Sequence, residues 1–501
     1  MLRALYSGAS GMKTLSQGMQ AVSNNLANVN TVGFKQQQAL FEDLMSQYAG
    51  TGNSASTSIS QVGLGSRLTD IRTMYGQGPY ESGTDITDLS INGKGFFQVT
   101  SGDKIHYTRA GNFRFDKDGN LVDPNGFVLN GRPILDGVEG ATTGISLPPG
   151  ENGRNIMPAK ATTSITAINN LGSGDKSSDA ANPFFSLLSK WNGAADSPLG
   201  DSAYSYKQSI KVYDASGNAH DVTIYFDGAG ESGGNKYFEF VVGMDPAHDG
   251  SALAGTSGAG LLMAGTLTFN SSGQLVNMSA YTPTGADATN LGNWAPASFG
   301  ADGLPQFAAT FAGGGGTQRV GLDLGLSSSS GAWTAGAGSP AAVGSNASSL
   351  AGMAGVTLAA TSTTAYGGSS SELRSSQNGY AQGFLAGIDI NSEGIITGRY
   401  SNGQKEDLYR ITLYRFTSED GLRREGMNHF SATRESGAAE EGLPDTENYG
   451  TVAAKTLEQS NVSMEREFVN MIIYQRGFQT NSKSIMTADT MIQKALELKR
   501  S

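Results

Sequence analysis

The residues of this chain that could do chemistry are few and lie far apart. Cysteine is absent, which excludes a thiol nucleophile, disulfide bonds and cysteine-ligated metal sites. The chain has four histidines, His106, His220, His248 and His429. None of them takes part in an HExxH pattern or another metal-ligand spacing, and no GxSxG motif occurs. Each histidine is therefore interpreted as a strand or loop residue.

Three short segments match binding-loop patterns only in part. Asp116–Asn120 has its glycine at position 4 and no glutamate at position 12, which favours a hairpin turn over a calcium loop. Gly313–Gly316 lacks the Lys-Ser/Thr of a phosphate loop and is interpreted as a mobile loop. The adjacent Glu440 and Glu441 are interpreted as a solvated loop. The sequence accordingly predicts no catalytic residue, no metal site, no cofactor and no enzymatic activity.

Composition narrows the class of protein further. The 501 residues include 69 glycines, and only 16% are charged. The net charge is −11, yet residues 1–40 carry +3 and residues 462–501 carry six bases and four acids. The acidic middle argues against nucleic acid as a partner, because phosphate binding needs a basic face. No apolar run of about 20 residues occurs, so membrane insertion is not expected.

Both ends of the chain carry apolar residues at intervals of seven, the pattern of a coiled-coil seam. At the N-terminal end the two series are Leu5, Met12, Met19, Leu26 and Gly8, Leu15, Val22, Val29. At the C-terminal end they are Met464, Met471, Phe478, Ile485, Ile492 and Glu467, Tyr474, Asn481, Ala488, Ala495, widened by Phe468, Ile472 and Ile473. An ordinary buried helix would explain each stripe alone. Because the two stripes lie at opposite ends of a chain with β-type patterning elsewhere, we expect terminal helices that pair with each other and then with further copies.

The middle of the chain has the period of two and the turn residues of β structure. Ile86–Ile91 and Gly95–Val99 are predicted strands joined by an Asn-Gly turn, and 207–246 and 382–416 continue the pattern. Residues 324–371 contain no Asp, Glu, Lys or Arg. Two interpretations of that stretch stay open, a flexible linker and a β-rich outer domain with small side chains.

Two segments are more specific than periodicity. Asn24–Lys35 contains an Ala-Asn-x-x-Thr-x-Gly-Phe signature, and Glu467–Lys483 contains a Gln-Arg pair in the C-terminal stripe. The residues that carry the signatures are Ala27, Asn28, Thr31, Gly33, Phe34, Lys35, Gln475 and Arg476. Together with Asn92–Gly131, these segments resemble the bacterial flagellar rod, hook and hook-associated family over roughly 1–145 and 378–501.

The resemblance implies an α+β, mainly β fold in which terminal helices form a coiled-coil inner domain with two or three β-rich outer domains. The inner domain would comprise 1–30 and 462–501, followed by a linker region at 31–70. A core β domain would comprise 71–145 and 378–450. The insertion at 146–377 would form the outer domains, with a further division near 280–290.

The size of the insertion favours the hook-type members, since rod members are shorter. The resemblance then implies a structural subunit that polymerises into a curved, flexible tube and transmits motor torque from rod to filament. The implied partners are many copies of the chain, the rod, the hook cap, the hook–filament junction proteins and the type III export apparatus. The expected location is extracellular, in the hook and basal body. Export without a cleaved signal is expected, because Met1–Ser10 lacks a contiguous apolar core.

Two other interpretations are kept open at this point. The nearest is a distal rod or hook-associated protein of the same family. The other class is a secreted β-rich adhesin or carbohydrate-acting enzyme, which would need aromatic platforms or paired carboxylates, whereas the chain has three tryptophans.

Overall fold

The structure is a computed structural model that describes residues 2–44, 47–48, 61–135, 137–147, 155–195, 197–285, 287–446 and 448–500. The chain forms two compact units. The first combines 1–155 with 385–501, and the second is 156–384. The architecture is mainly β, with two long terminal helices packed together and several β-sheets, so the predicted fold class is confirmed.

The helices are α1 (Leu2–Ala27), α2 (Ser186–Lys190), α3 (Pro340–Val343) and α4 (Met464–Arg500). The strands before the second unit are β1 (Gln37–Asp43), β2 (Gln47–Tyr48), β3 (Gln61–Val62), β4 (Ser66–Thr73), β5 (Tyr80–Ser82), β6 (Leu89–Asn92), β7 (Phe96–Ser101), β8 (Lys104–Thr108), β9 (Arg114–Phe115), β10 (Leu121–Val122), β11 (Val128–Leu135), β12 (Val138–Glu139) and β13 (Thr143–Gly144). Those of the second unit are β14 (Ile156–Met157), β15 (Ser164–Asn170), β16 (Tyr206–Tyr213), β17 (Ala219–Ser232), β18 (Asn235–Met244), β19 (Leu261–Phe269), β20 (Leu275–Pro283), β21 (Trp294–Pro296), β22 (Ser298–Phe299), β23 (Pro305–Thr310), β24 (Thr317–Asp323), β25 (Leu326–Ser328), β26 (Val356–Leu358) and β27 (Ser371–Gln377). The last strands are β28 (Gly383–Ile390), β29 (Ile395–Tyr400), β30 (Lys405–Ile411), β31 (Leu413–Arg415), β32 (Arg423–Gly426), β33 (His429–Ser431), β34 (Glu440–Gly442), β35 (Thr451–Ala454) and β36 (Thr456–Glu458).

The β body of the first unit joins segments that are far apart in sequence. Strand β11 pairs antiparallel with β7 and with β30, and β6 pairs with β35. One apolar core contains Phe97 and Leu129 from the N-terminal strands together with Ile411 and Val452 from the C-terminal strands. The two ends of the chain therefore build one domain, and the terminal helices extend from it.

The second unit is built on two sheets that share a core. Strands β16 to β21 form a six-stranded antiparallel sheet in chain order. The other sheet has the order β22-β23-β24-β15-β27, in which β15 and β24 run parallel. Side chains such as Phe240 from the first sheet and Phe307 from the second lie in the same buried cluster.

The uncharged stretch 324–371 is folded. Leu326 and Met353 are 1% exposed in the core shared by the two sheets, and Val343 is buried in the neighbouring cluster. This favours the outer-domain interpretation over a flexible linker. In the region predicted as a linker, β1 and β4 pair antiparallel, while 45–46 and 49–60 lie outside the described residues. Residues 280–290, the predicted site of a further division, lie largely between β20 and β21, which pair with each other.

Several hairpins use one turn in which an Asp or Asn side chain accepts hydrogen bonds from the backbone ahead of it. Asp116 Oδ1 accepts from the backbone nitrogens of Asp118 and Asn120, each at 2.8 Å. Gly119 supplies the positive φ of 83° that the turn requires. The predicted hairpin turn at Asp116–Asn120 is therefore confirmed, and the same bonding recurs at Asp123, Asp214 and Asn270.

Two other loop interpretations have different outcomes. Gly313–Gly316 is a loop, as predicted, and connects the paired strands β23 and β24. Glu440 and Glu441 are exposed as predicted, but the loop interpretation was wrong, because both lie in the short strand β34, where partners bind the carboxylate of Glu441. Its Oε1 accepts from Arg132 Nη2 at 2.7 Å, and its Oε2 accepts from the Tyr414 hydroxyl at 3.0 Å.

Candidate assembly interface

Helices α1 and α4 lie side by side, and small residues on each face larger ones on the other. The facing pairs, in order along α1, are Gly8 with Ile485, Gly11 with Asn481, Leu15 with Gly477, Gly18 with Tyr474 and Asn25 with Glu467. Because the α4 number falls as the α1 number rises, the helices are antiparallel. A Cβ built on Gly8 would lie 2.9 Å from Ile485 Cγ1, well inside the contact distance of about 3.5–4 Å between carbon atoms. The glycines thus let the two backbones approach closely.

The apolar residues predicted on α1 divide between buried and half-buried positions. Val22 is 4% exposed. The half-buried residues are Leu5, Met12, Leu15, Met19, Leu26 and Val29. Leu15 contacts α4 at Gly477. The second series of seven-residue spacing, which contains Leu15 and Val22, therefore faces α4.

The apolar residues predicted on α4 differ in how far the single chain covers them. Half-buried positions are Met471, Tyr474, Ile485 and Ile492. Five other predicted residues are exposed in the single chain, and Val469 lies beside them. We call these six residues the α4 outer stripe: Met464, Phe468, Val469, Ile472, Ile473 and Phe478. Each of the six is 39–56% exposed, so together they form an apolar surface on α4 that the single chain does not cover.

The closest contacts of the helix pair are made by glycines and polar residues. A search for large apolar side chains at seven-residue intervals does not find them. Gly11, Gly18 and Gly477 are contact positions because they lack a side chain. Gly11 and Gly18 are seven residues apart and lie on one face of α1, and this spacing is the sequence feature that could have identified them as contact positions. Asn25 and Glu467 are polar, and their burial is decided by the helix pairing rather than by their own type.

The signature after α1 forms a tight loop held by the β body. Gly33 has a φ of 70°, donates its backbone N–H to the Glu458 carbonyl at 2.8 Å, and leaves no room for a side chain because a Cβ would lie 2.5 Å from the Ala110 nitrogen. Thr31 Oγ1 donates to Asn28 Oδ1 at 3.2 Å. Phe34 is buried beneath the guanidinium of Arg424, which lies 4.9 Å from the ring centroid.

Lys35 ends the loop in a buried ionic cluster. Its Nζ lies 2.6 Å from Glu458 Oε1 and 2.9 Å from the Gly76 carbonyl oxygen. Arg109 Nη1 lies 3.4 Å from Glu458 Oε2. All three charged side chains are at most 6% exposed. Burial lowers the pKa of Lys35, and the Glu458 carboxylate opposes that shift. The cluster ties the N-terminal loop to β36, immediately before α4.

The remaining signature residues are on the surface. Ala27 is the last residue of α1 and is exposed, as are Gln475 and Arg476 on α4. Within one chain, therefore, these three are not brought into the helix contact.

The histidines serve the β structure. His429 Nε2 lies 2.7 Å from Asp123 Oδ2, and His220 Nε2 lies 3.0 Å from Asp214 Oδ2. Both aspartates belong to the hairpin turns described above. Within the described part of the chain, no group of three or more His, Asp or Glu side chains is placed to hold a metal ion.

Comparison with protein families places the chain in the class of flagellar axial proteins. Residues 5–35 match the flagella basal body rod protein family and 453–498 match the flagellar basal body rod FlgEFG protein C-terminal family. Residues 90–172 match the flagellar hook protein FlgE/F/G D1 domain, and 186–380 match the flagellar basal body protein FlaE D2 domain. The matched regions thus include most of both terminal helices, part of the first unit and most of the second, whereas 36–89 and 381–452 lie outside them.

Full-length relatives define the particular family. The flagellar hook protein FlgE of Escherichia coli is 31% identical, with 99% of this chain and 100% of the relative covered. The flagellar hook proteins FlgE of Borreliella burgdorferi and Treponema pallidum are each 30% identical and are covered completely, as is this chain. The chain belongs to the flagellar hook protein family and is a structural rather than an enzymatic protein. Among solved structures, that of Helicobacter pylori flagellar hook protein FlgE2 is 13% identical, covers 76% of this chain and 100% of its own, and has a TM-score of 0.45. None of the helices in the described residues is long and apolar enough to cross a membrane.

Proposed function

We propose that this hook subunit polymerises through its terminal helices into a curved, flexible tube that transmits torque from rod to filament. The observation that carries the proposal is the α4 outer stripe, which remains exposed after α1 has packed against α4. Burying six large apolar side chains in contacts with neighbouring copies would stabilise the polymer by about 1.5–3 kcal/mol for each fully buried side chain. The site residues predicted on α4 thus serve two contacts, one within the chain and one between chains.

An uncharged surface of the second unit is the observation that supports a flexible outer layer of the tube. Val356, Leu358, Tyr366 and Leu373 are 38–54% exposed around a groove whose lining contains no charged residue. We call these four residues the neutral patch. In our proposal, outer units of adjacent copies slide past each other over such surfaces as the tube bends. The desolvation cost of sliding stays low because no charge enters or leaves water.

The remaining partners and the export route follow from the proposed role as a hook subunit. The rod, the hook cap and the hook–filament junction proteins would meet the ends of the tube. The chain would leave the cell unfolded through the type III export apparatus, and a chain without cysteine cannot be trapped by disulfides on that route. The site of action would be extracellular.

Immunogold electron microscopy of detergent-extracted flagella tests the proposal, with antibody raised against residues 156–384. Gold along a short curved segment between rod and filament is the expected result. Gold confined to a straight rod or to a single junction ring would contradict the tube while leaving the family unchanged. Absence of gold from flagella would contradict the structural role itself.

A further inference from the structure

A buried polar network lies where the helix pair meets the β body. Asn25 is 0% exposed and Glu467 is 1% exposed, so both are as buried as core apolar residues. Asn25 Nδ2 donates to Glu467 Oε1 at 3.3 Å. Gln36 Nε2 donates to the same oxygen at 2.5 Å. One carboxylate oxygen of α4 therefore binds two amides from the N-terminal part of the chain.

The two amide residues are themselves held in place. Asn25 makes a two-sided contact with the backbone of Gln37, accepting from its nitrogen at 2.8 Å and donating to its carbonyl at 2.7 Å. The Gln36 backbone nitrogen donates to Asn461 Oδ1 at 2.7 Å. Glu467 thus meets donors whose positions are set by β1 and by the segment that leads into α4.

The seven-residue spacing of the helix pair does not by itself select one register. Both facing stripes repeat every seven residues, so a shift of seven residues again places stripe against stripe. Helix length does not prevent the shift, because α4 has 37 residues and α1 has 26. Ile492 continues the α4 stripe beyond Ala488, which is already buried in the observed register, and would meet α1 after such a shift.

Glu467 distinguishes the registers. In the observed register its Oε1 has two donors, whereas Oε2 has none among the described residues. A shift of seven residues would remove Glu467 from Asn25 and Gln36, and the hydrogen bonds that its carboxyl group accepts from both amides would be lost. A single buried polar residue that sets helix register is a known device of coiled coils.

We propose that Glu467, acting through Asn25 and Gln36, is the positioning residue that sets the register of α1 against α4. The inference concerns helix pairing within one chain, so it can fail or hold independently of whether chains form a tube. The register decides which α4 residues remain outside the pair, and so which residues are available to neighbouring copies.

Disulfide trapping measures the register directly, since the chain has no cysteine of its own. The pair Gly11→Cys with Asn481→Cys reports the observed register. Leu15→Cys with Ser484→Cys and Leu15→Cys with Asn470→Cys report shifts of seven residues in the two directions, since Leu15 faces Gly477 in the observed register. Seven residues of helix span roughly 10 Å, whereas the Cα atoms of a disulfide lie within about 7 Å, so each pair is selective.

Each cysteine pair is placed in the full-length chain with Glu467, Glu467→Gln or Glu467→Leu, and oxidised both free in solution and in isolated hooks. With Glu467, and with Glu467→Gln, which retains a carbonyl acceptor for both amides, only the 11–481 disulfide is expected. With Glu467→Leu, a shifted disulfide should appear as the 11–481 product falls several-fold. An undiminished 11–481 product with Glu467→Leu would overturn the proposal. Loss of that product without any shifted disulfide would also overturn it, since it would show that Glu467 adds stability without choosing the register.

Discussion

Leu15 of α1 packs directly onto Gly477 of α4. A Cβ placed on Gly477 would lie 2.9 Å from Leu15 Cδ1 and 3.5 Å from Leu15 Cδ2. The leucine thus occupies the space that a side chain at 477 would need, which makes this pair a sensitive probe of the helix contact.

Gly477→Val should weaken the α1–α4 pair by about 1–3 kcal/mol, because the added methyl groups overpack the contact. Hooks should be shorter or absent in electron micrographs. Shortening the opposing side chain with Leu15→Ala in the same chain should restore space and recover part of the assembly. Normal hooks from Gly477→Val alone, or failure of the second change to help, would contradict this contact.

The α4 outer stripe should matter for assembly and not for the single chain. Phe468→Lys and Ile472→Lys alter side chains that are 48% and 51% exposed, so each should change the free energy of unfolding by no more than about 0.5 kcal/mol. Hook assembly should be lost, because the charge would be buried between copies. Urea unfolding and hook counts measure the two effects, and Gln479→Lys, an exposed position on the same helix, is the matched control. Full assembly with both stripe variants would contradict the proposed interface.

Charge in the neutral patch should stiffen the tube. Leu358→Lys and Leu373→Lys place an ammonium group in a groove that has no charged lining, so movement across it would require desolvation. Straighter hooks are expected in electron micrographs of motile cells. Ser232→Lys, at an exposed position of the same unit, is the control. Unchanged curvature in both patch variants would contradict the sliding proposal.

The second unit should lose stability as pH rises through the range of Glu239. Glu239 is directly opposite Asp227 on paired strands, both are buried, and Lys190 is the nearby cation. Burial raises the pKa of Glu239 to about 8, so the folded chain holds a proton that the unfolded chain releases above about pH 4.5. Its contribution is therefore fully present below about pH 4.5 and declines, by a few kcal/mol in total, as pH rises to about 8.

Urea unfolding of the second unit at pH 5, 7 and 8.5 measures this loss. Glu239→Gln cannot ionise, so the difference between the two chains should grow with pH in favour of the glutamine variant. Parallel pH profiles would show that Glu239 does not hold the proton.

Removal of Lys35 should destabilise the first unit by about 3–5 kcal/mol, because Glu458 would lose its closest cation while remaining buried. Lys35→Met keeps much of the volume and removes the charge. Adding Glu458→Gln should reduce the loss, since the uncompensated carboxylate is then gone. Urea unfolding measures both, and additive losses would contradict direct coupling between the two residues.

Much of this protein follows from the order of its residues. Heptad spacing is a local property, so the apolar stripes of α1 and α4 are readable without a structure, and Asp116–Asn120 specifies its hairpin by bonds within five residues. The signatures around Gly33 and Gln475 were sufficient to indicate the family. The full-length relatives then confirmed it.

Other features depend on contacts between distant segments. Lys35 and Arg109 are each more than 300 residues away from Glu458 in the sequence, yet all three are buried in one cluster. No local pattern predicts that they meet. The same holds for Glu467, whose type favours solvent and whose burial is set by the amides of Asn25 and Gln36. A stripe of seven-residue spacing decides that a helix has an apolar face. Only tertiary packing decides which part of that face is covered within the chain and which part is left for another, because that depends on the register between two helices at opposite ends of the sequence.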